Sequence, residues 1–110
     1  RKDDMLKTSG YRVSPTEIEE IIYSSGMVKE AAAIGIPHHT LGQAIIVIIS
    51  TEQIKQFNEA ELIKLCKLQL ANFMVPARII ALAELPKNPN GKIDRKTLTT
   101  NYLDVLNSNL

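Results

Sequence analysis

Residues 43–51 read Gln-Ala-Ile-Ile-Val-Ile-Ile-Ser-Thr, and this stretch decides the fold. Its apolar run, residues 44–49, consists of one alanine followed by side chains that branch at the β-carbon. Such side chains favour extended backbone, and the run is too short for a typical helix. Because successive side chains of a strand point to opposite faces, an all-apolar strand must be covered on both faces. The stretch therefore predicts a central strand with other elements packed on either side.

Two further apolar segments predict neighbours for this strand. Residues 28–36 are rich in Ala, Val and Ile and are followed by Pro37. Residues 77–82 lie between Pro76 and Pro86. Proline cannot donate a ladder hydrogen bond and is rare inside a central strand, so these prolines predict the limits of the two strands.

Helix start signals occur between the predicted strands. Ser14 is a preferred N-cap, Pro15 suits the first helical position, and Glu17 completes a Ser-x-x-Glu capping box. A second helix is predicted over residues 58–71, with its cap at Asn58. A third is predicted to begin at Asp94.

The N-terminal segment predicts a short hairpin, because residues 5–8 and 11–13 flank the turn dipeptide Ser9-Gly10. Strands interleaved with helices indicate an α+β fold with a small three-stranded sheet packed with helices, plus this short N-terminal β-hairpin. A chain of 110 residues is long enough for one core, so we expect a single domain over residues 1–110.

Composition excludes several classes of protein. The chain is 45% hydrophobic, 23% charged and 5% aromatic, which is typical of a globular domain. Its single cysteine cannot form an internal disulfide, which favours a reducing compartment, and we expect a cytoplasmic protein. The apolar run over residues 44–49 is far shorter than the roughly 20 residues that cross a bilayer, so no transmembrane segment is expected.

No complete catalytic or metal-binding set is visible in the sequence. Cys66 lies on the apolar side of its predicted helix and is expected to be a buried small hydrophobe. The dipeptide His38-His39 has no further ligands at metal-site spacing, so we expect turn residues and no metal site. Glu17, Glu19 and Glu20 are interpreted as a helix cap and a solvated helix face.

Positive charge is concentrated in two segments. Residues 1–12 contain four basic and two acidic residues, a net +2, and residues 87–96 contain four basic residues and one acidic residue, a net +3. The remaining residues carry a net −4. The two basic segments are either solvated loops or surfaces that approach an anion. Charge this small, with few aromatic residues, is poor support for nucleic-acid binding, and no nucleic-acid partner is expected.

The second basic segment has the chemistry of a stiff turn. Residues 86–95 read Pro-Lys-Asn-Pro-Asn-Gly-Lys-Ile-Asp-Arg. Two prolines and the Asn90-Gly91 dipeptide bend and stiffen this loop, so Lys92 is expected to project from it. A lysine presented in this way suits carboxylate or phosphate oxygens, although the same residue could simply keep a tight turn soluble.

Two long motifs together carry a family resemblance. The N-terminal stretch over residues 1–19, Arg-Lys-Asp-Asp-Met-Leu-Lys-Thr-Ser-Gly-Tyr-Arg-Val-Ser-Pro-Thr-Glu-Ile-Glu, precedes the stretch over residues 86–95 at a suitable distance. In this pairing the chain resembles the C-terminal domain of the AMP-forming adenylating enzymes from residue 1 to about residue 98. That superfamily comprises acyl- and aryl-CoA synthetases, the adenylation domains of non-ribosomal peptide synthetases, and luciferases.

The resemblance implies a reaction and a set of partners. Members join a carboxylic acid to ATP, with release of pyrophosphate, and then pass the acyl group to a thiol with release of AMP. A large N-terminal adenylating domain would hold the acid and most contacts to ATP and Mg2+, and would work with this chain as its mobile lid. The thiol would belong to coenzyme A or to the pantetheine of an acyl carrier protein. The isolated chain is therefore expected to be inactive.

The resemblance also implies roles for four residues. Lys92 matches the lysine that reaches the carboxylate and adenylate oxygens in the first half-reaction. Asp3 matches the hinge about which the small domain swings. Arg12 matches a basic residue that contacts nucleotide phosphate or stabilises one of the two orientations of the domain. Gly10 matches the residue that lines the pantetheine tunnel.

Other functions remain open on the sequence alone. The chain could be the C-terminal part of a peptide-synthetase adenylation domain or of a carrier-protein ligase. It could also be a non-catalytic interaction module with the same fold.

Overall fold

The computed structural model describes residues 5–38 and 42–103. This part of the chain forms a mixed sheet with three α-helices and two single 3-10 turns, at Ile54–Gln56 and Asn72–Met74. The strands are β1 (Leu6–Thr8), β2 (Tyr11–Val13), β3 (Glu30–His38), β4 (Gly42–Ser50) and β5 (Arg78–Leu82). The helices are α1 (Pro15–Ser24), α2 (Glu59–Gln69) and α3 (Arg95–Asn101). The predicted α+β class is confirmed.

The predicted central strand is β4, which has neighbours along both edges. One edge pairs antiparallel with β3 over the full length of both strands. The other edge pairs with β1 at Gly42 and, in parallel, with β5 from Ile46 to Ser50. The hairpin strand β2 lies outside β1. The described sheet thus has five strands instead of three plus a separate hairpin, because Thr8 pairs with Gly42 and joins the hairpin to the sheet.

Both faces of β4 are buried, as its apolar run predicts. Alternate residues of β3, β4 and β5 point to opposite faces, so the sheet separates two apolar clusters. The first cluster is packed by α1 and α2; its buried strand residues are Leu6, Val13, Ala31, Ala33, Ile45, Val47, Ile49 and Ile79. The second is packed by α3 and the segment before it; its members are Ala32, Ile34, Ile36, Ala44, Ile46, Ile48, Leu85 and Leu98.

The three predicted helix starts differ in whether a side chain caps the helix. Asn58 caps α2, since its side chain accepts a hydrogen bond from the N–H of Glu61, and Asp94 caps α3 in the same way through the N–H of Thr97. Ser14 is the N-cap residue of α1, but its hydroxyl makes no capping hydrogen bond. The predicted capping box is therefore wrong, and Pro15 at the first helical position is the start signal that the structure uses.

The outer edge of β3 is closed by side chains from two helices. Ala31 N–H donates to Tyr23 Oη at 2.9 Å, and Ala33 N–H donates to Glu19 Oε2 at 2.7 Å. Arg95 Nη1 donates to the carbonyl oxygen of Ala33 at 2.9 Å. Unpaired edge groups would otherwise be open to another strand, and these bonds satisfy them.

This edge also explains two differences from the sequence predictions. Glu19 is buried, and its carboxylate accepts a hydrogen bond from Ala33 N–H and forms an ion pair with Arg95, so its assignment to a solvated face is wrong. Pro37 lies inside β3 instead of ending it. By strand alternation Pro37 has its nitrogen on the same outer edge as Ala33, where no ladder hydrogen bond is lost.

Candidate functional site

The turn that carries Lys92 rises from a short antiparallel base. Lys87 pairs with Ile93 across this base, and Asp94 N–H donates to the carbonyl oxygen of Pro86 at 2.9 Å. Leu85, just before the base, is buried in the second apolar cluster, and Ile93 packs against the same cluster. The base of the turn is therefore fixed to the sheet by apolar contacts.

Asn88 organises the turn above this base. Its carbonyl oxygen accepts from Gly91 N–H at 2.9 Å, and its side-chain Oδ1 accepts from the N–H of Asn90 at 2.9 Å and of Lys92 at 3.1 Å. Its own N–H donates to the carbonyl oxygen of Lys92 at 2.8 Å. Gly91 adopts a φ of 80°, a left-handed conformation that glycine tolerates without strain. One asparagine thus bonds to the N–H and the C=O of Lys92.

The side chain of Lys92 is exposed, in contrast to its backbone. Within residues 5–38 and 42–103 its ammonium makes no ion pair with a carboxylate. A cation on a fixed backbone, with three N–H donors and no carboxylate partner in that part of the chain, can bind an incoming carboxylate or phosphate. The predicted projection of Lys92 is confirmed by this geometry.

An ion pair ties the turn to one end of the sheet. Lys87 Nζ lies 2.8 Å from Glu30 Oε2, and Glu30 Oε1 accepts from the hydroxyl of Ser50 at 3.3 Å. Glu30 is the first residue of β3, and Ser50 is the last residue of β4. The Lys92 turn therefore starts from the C-terminal end of β4.

The β1–β2 hairpin presents the second basic segment. Ser9 and Gly10 have φ values of 54° and 85°, which are the left-handed conformations of a tight two-residue hairpin turn. Gly10 is exposed, and a Cβ built on it would meet nothing within 4 Å. Arg12 is exposed, and the neighbouring ring of Tyr11 stacks on Phe73 with centroids 4.0 Å apart.

The two turns lie at opposite ends of the same strand. The hairpin joins β4 at its first residue, through Thr8 and Gly42, whereas Lys87 is tied to the end at Ser50. The eight steps of this nine-residue strand span about 26 Å at ~3.3 Å per residue. The sheet therefore keeps Gly10 and Arg12 apart from the base of the Lys92 turn.

The remaining candidate residues have structural roles or fall outside the description. Cys66 is fully buried in the first cluster, and burial raises the pKa of its thiol, as expected for a small hydrophobe. His38 is the last residue of β3, where a turn was predicted. Asp3, the predicted hinge, lies outside the described residues. Among residues 5–38 and 42–103 no group of His, Cys, Asp and Glu could hold a metal ion, and no helix is long and apolar enough to cross a membrane.

Sequence reasoning missed the role of Asn88, although a signal was present. The tetrapeptide Asn88-Pro89-Asn90-Gly91 has Asn first, Pro second and Gly fourth, which is the residue preference of a type I turn. Asparagine at the first position also bonds to the backbone two residues on. The predicted bend rested on the two prolines and Asn90-Gly91, whereas the hydrogen bonds of the turn are organised by Asn88.

Comparison with known proteins identifies relatives that are several times longer. The chain is 38% identical over 98 residues to 2-succinylbenzoate–CoA ligase of Listeria monocytogenes and 31% identical over 99 residues to human mitochondrial malonate–CoA ligase ACSF3. These matches cover 89% and 90% of this chain but only 21% and 17% of the relatives. The chain therefore spans about a fifth of the length of these ligases.

Solved structures show the same fold. MatB of Rhodopseudomonas palustris superposes with a TM-score of 0.90 in its apo form and 0.89 in its ATP-bound form, at 32% and 31% identity. Both matches cover 96% of this chain and 21% of MatB. The family model of the AMP-binding enzyme C-terminal domain matches residues 17–92, which include the turn and its lysine. This chain belongs to the AMP-binding enzyme C-terminal domain family.

Proposed function

We propose that this chain is the mobile C-terminal domain of an ATP-dependent, AMP-forming acid–thiol ligase, and that its thiol substrate is coenzyme A. The relatives described above are named as CoA ligases, and MatB has been crystallised with ATP. The observation that carries the proposal is the Lys92 turn, in which Asn88 fixes the lysine backbone and the ammonium is exposed.

In the first half-reaction, Lys92 would contact the carboxylate and the α-phosphate as the acid oxygen attacks phosphorus. The P–O bond to pyrophosphate breaks, and an acyl-adenylate forms. Negative charge develops on the transferring oxygens during this step, and a positioned ammonium stabilises it. ATP, with Mg2+, and the acid would be held mainly by an N-terminal adenylating domain.

In the second half-reaction, the thiol sulfur attacks the acyl carbon, the thiol proton is lost, and AMP leaves. Gly10 would line the path of the thiol, and Arg12 would contact the nucleotide phosphate. Because the two turns start from opposite ends of β4, we infer that the domain rotates between the half-reactions to bring each turn to one active site. Asp3 would be the hinge of this rotation.

The test is an assay of the full-length gene product that contains this chain, with ATP, coenzyme A and a panel of carboxylic acids. We expect AMP, pyrophosphate and an acyl-CoA from at least one acid, and no turnover by residues 1–110 alone. Transfer only to a carrier protein would indicate a peptide-synthetase type of enzyme instead. No adenylate with any acid would favour a non-catalytic interaction module. A cytoplasmic location stays a prediction, since the human relative is named as mitochondrial.

A further inference from the structure

The β1–β2 hairpin has a narrow attachment to the sheet. Among residues 5–38 and 42–103, the β1–β4 ladder pairs Thr8, the last residue of β1, with Gly42, the first residue of β4, and the Ser9-Gly10 turn follows directly after this pair. A cleft of about 200 Å³ separates the turn from the segment after α2; its lining includes Ser9, Asn72 and Phe73. The turn itself is tight, so its position depends on how β1 is fixed.

Gln43 provides a second attachment for β1. Its side-chain Oε1 accepts a hydrogen bond from Lys7 N–H at 2.7 Å. Lys7 precedes Thr8, and Gln43 follows Gly42, so the side-chain bond continues the attachment where ladder pairing stops. A side-chain carbonyl thus takes the place of a backbone acceptor.

Gly35 in β3 leaves the space that this carboxamide occupies. A Cβ on Gly35 would lie 2.8 Å from Gln43 Nε2, closer than real Cβ atoms approach, and 3.1 Å from Gln43 Oε1, so the carboxamide would have to move. Glycine weakens a strand interior, and its presence there often marks a close approach by another group. At this position the approaching group is the amide that binds Lys7.

We propose that Gln43 is a positioning residue for the thioester-forming half-reaction, because its carboxamide fixes β1 and thereby the place of the Gly10 turn in the thiol path. This inference rests on the function proposed above. The stacked rings of Tyr11 and Phe73 restrain the other strand of the hairpin. Loss of the Gln43 bond would leave the hairpin folded but free to shift at Lys7.

The test compares the two half-reactions in the full-length enzyme. Adenylate formation is measured by ATP–pyrophosphate exchange, and thioester formation by transfer from a supplied acyl-adenylate to coenzyme A. Gln43→Ala should slow thioester formation about fivefold to tenfold, which is the effect expected from the loss of one hydrogen bond and the displacement of the Gly10 turn. The rate of adenylation should stay within about twofold of wild type. Gln43→Glu keeps an acceptor oxygen and should restore thioester formation.

Two further variants separate positioning from general damage. Gly35→Ala should reproduce the selective loss, because the new methyl group displaces the carboxamide. Gln69→Ala, at an exposed residue at the end of α2, should change neither half-reaction. Amide exchange of residues 6–8 should be faster in Gln43→Ala than in the wild type.

Equal loss of both half-reactions in Gln43→Ala, or no loss in either, would overturn the inference. A defect in Gln43→Glu as large as that in Gln43→Ala would do the same. If the wild-type enzyme forms neither adenylate nor thioester, the proposed function fails first, and the inference fails with it. Wild-type activity therefore distinguishes the two failures.

Discussion

Arg95 and Glu19 form an ion pair that connects α3 to α1 around the outer edge of β3. Arg95 Nη1 lies 2.7 Å from Glu19 Oε2 and also donates to the carbonyl oxygen of Ala33 at 2.9 Å. Because Lys92 is only three residues before Arg95, this contact fixes the far end of the Lys92 turn. The Lys87–Glu30 pair fixes its near end. The turn is thus restrained on both sides while its tip remains exposed.

Removing Arg95 should destabilise the fold. Only 11% of the Glu19 side chain is exposed, so Arg95→Ala leaves a nearly buried carboxylate without its cation. A lost charged hydrogen bond of this kind costs about 2 kcal/mol of the free energy of unfolding, measured by urea titration. The matched control is Lys29→Ala, whose ion pair with Glu52 is 3.8 Å long and mostly exposed, and it should change stability by less than about 0.5 kcal/mol. Equal effects of the two variants would show that burial of Glu19 does not matter.

Lys92→Ala should abolish adenylation and spare thioester formation. Under the proposed function the ammonium would stabilise charge only while the adenylate forms, and loss of such a donor lowers a rate by at least about 100-fold. Transfer from supplied acyl-adenylate to coenzyme A should stay within about twofold of wild type, since Lys92 is proposed to leave the site before that step. Lys96→Ala, an exposed lysine of α3, is the charge control. Equal loss of both steps would contradict a role restricted to the first.

Asn88 should matter through the backbone of Lys92. Asn88→Ala removes the acceptor of two N–H groups, so the turn becomes less ordered and the ammonium less well placed. We expect adenylation to fall about tenfold, less than in Lys92→Ala, with a loss of about 1 kcal/mol of stability. Asn88→Asp keeps the acceptor oxygen and should recover most of the rate. Full activity in Asn88→Ala would show that the side-chain bonds do not position the lysine.

Gly10→Ala should impair thioester formation selectively. A methyl group on Gly10 meets nothing inside the domain, so within this chain it adds only the cost of a left-handed φ, about 1 kcal/mol. In the closed enzyme it would enter the proposed thiol path and lower transfer to coenzyme A by about tenfold or more. Gly26→Ala is the control, because Gly26 has a similar φ of 72° and equally open surroundings. A transfer defect of the same size in both variants would attribute the effect to backbone strain.

Local sequence patterns predicted the elements that depend on contacts between near neighbours in the chain or on the burial of an apolar run. The apolar run over residues 44–49 predicted the central strand, because the β-branching and the apolar character of its side chains can be read directly from the sequence. Asn58 and Asp94 were predicted as helix starts because a capping side chain bonds only three residues on. The exposed position of Lys92 on its turn was predicted from the prolines and the glycine of that segment.

Contacts between distant residues were not predictable in this way. Glu19 has the spacing of an exposed helix residue, and only the packing of α1 against the edge of β3 brings it to Ala33 and Arg95. The side chain of Gln43 accepts a hydrogen bond from Lys7, which lies 36 positions away in the sequence, because the hairpin folds back onto β4. Such hydrogen bonds depend on tertiary placement, which no local pattern encodes.

The stability of α3 should depend on pH through Asp94. Hydrogen bonds from the N–H and then the hydroxyl of Thr97 lower the pKa of Asp94, because they favour the carboxylate. A lowered folded-state pKa adds stability at pH values above the ordinary aspartate pKa of about 4, and this stability is lost as the pH falls through the folded-state value. The Tm difference between wild type and Asp94→Asn should therefore be largest near pH 7 and shrink below about pH 4. A difference that stays constant from pH 7 to pH 2 would mean that the cap needs an oxygen at this position but not its charge.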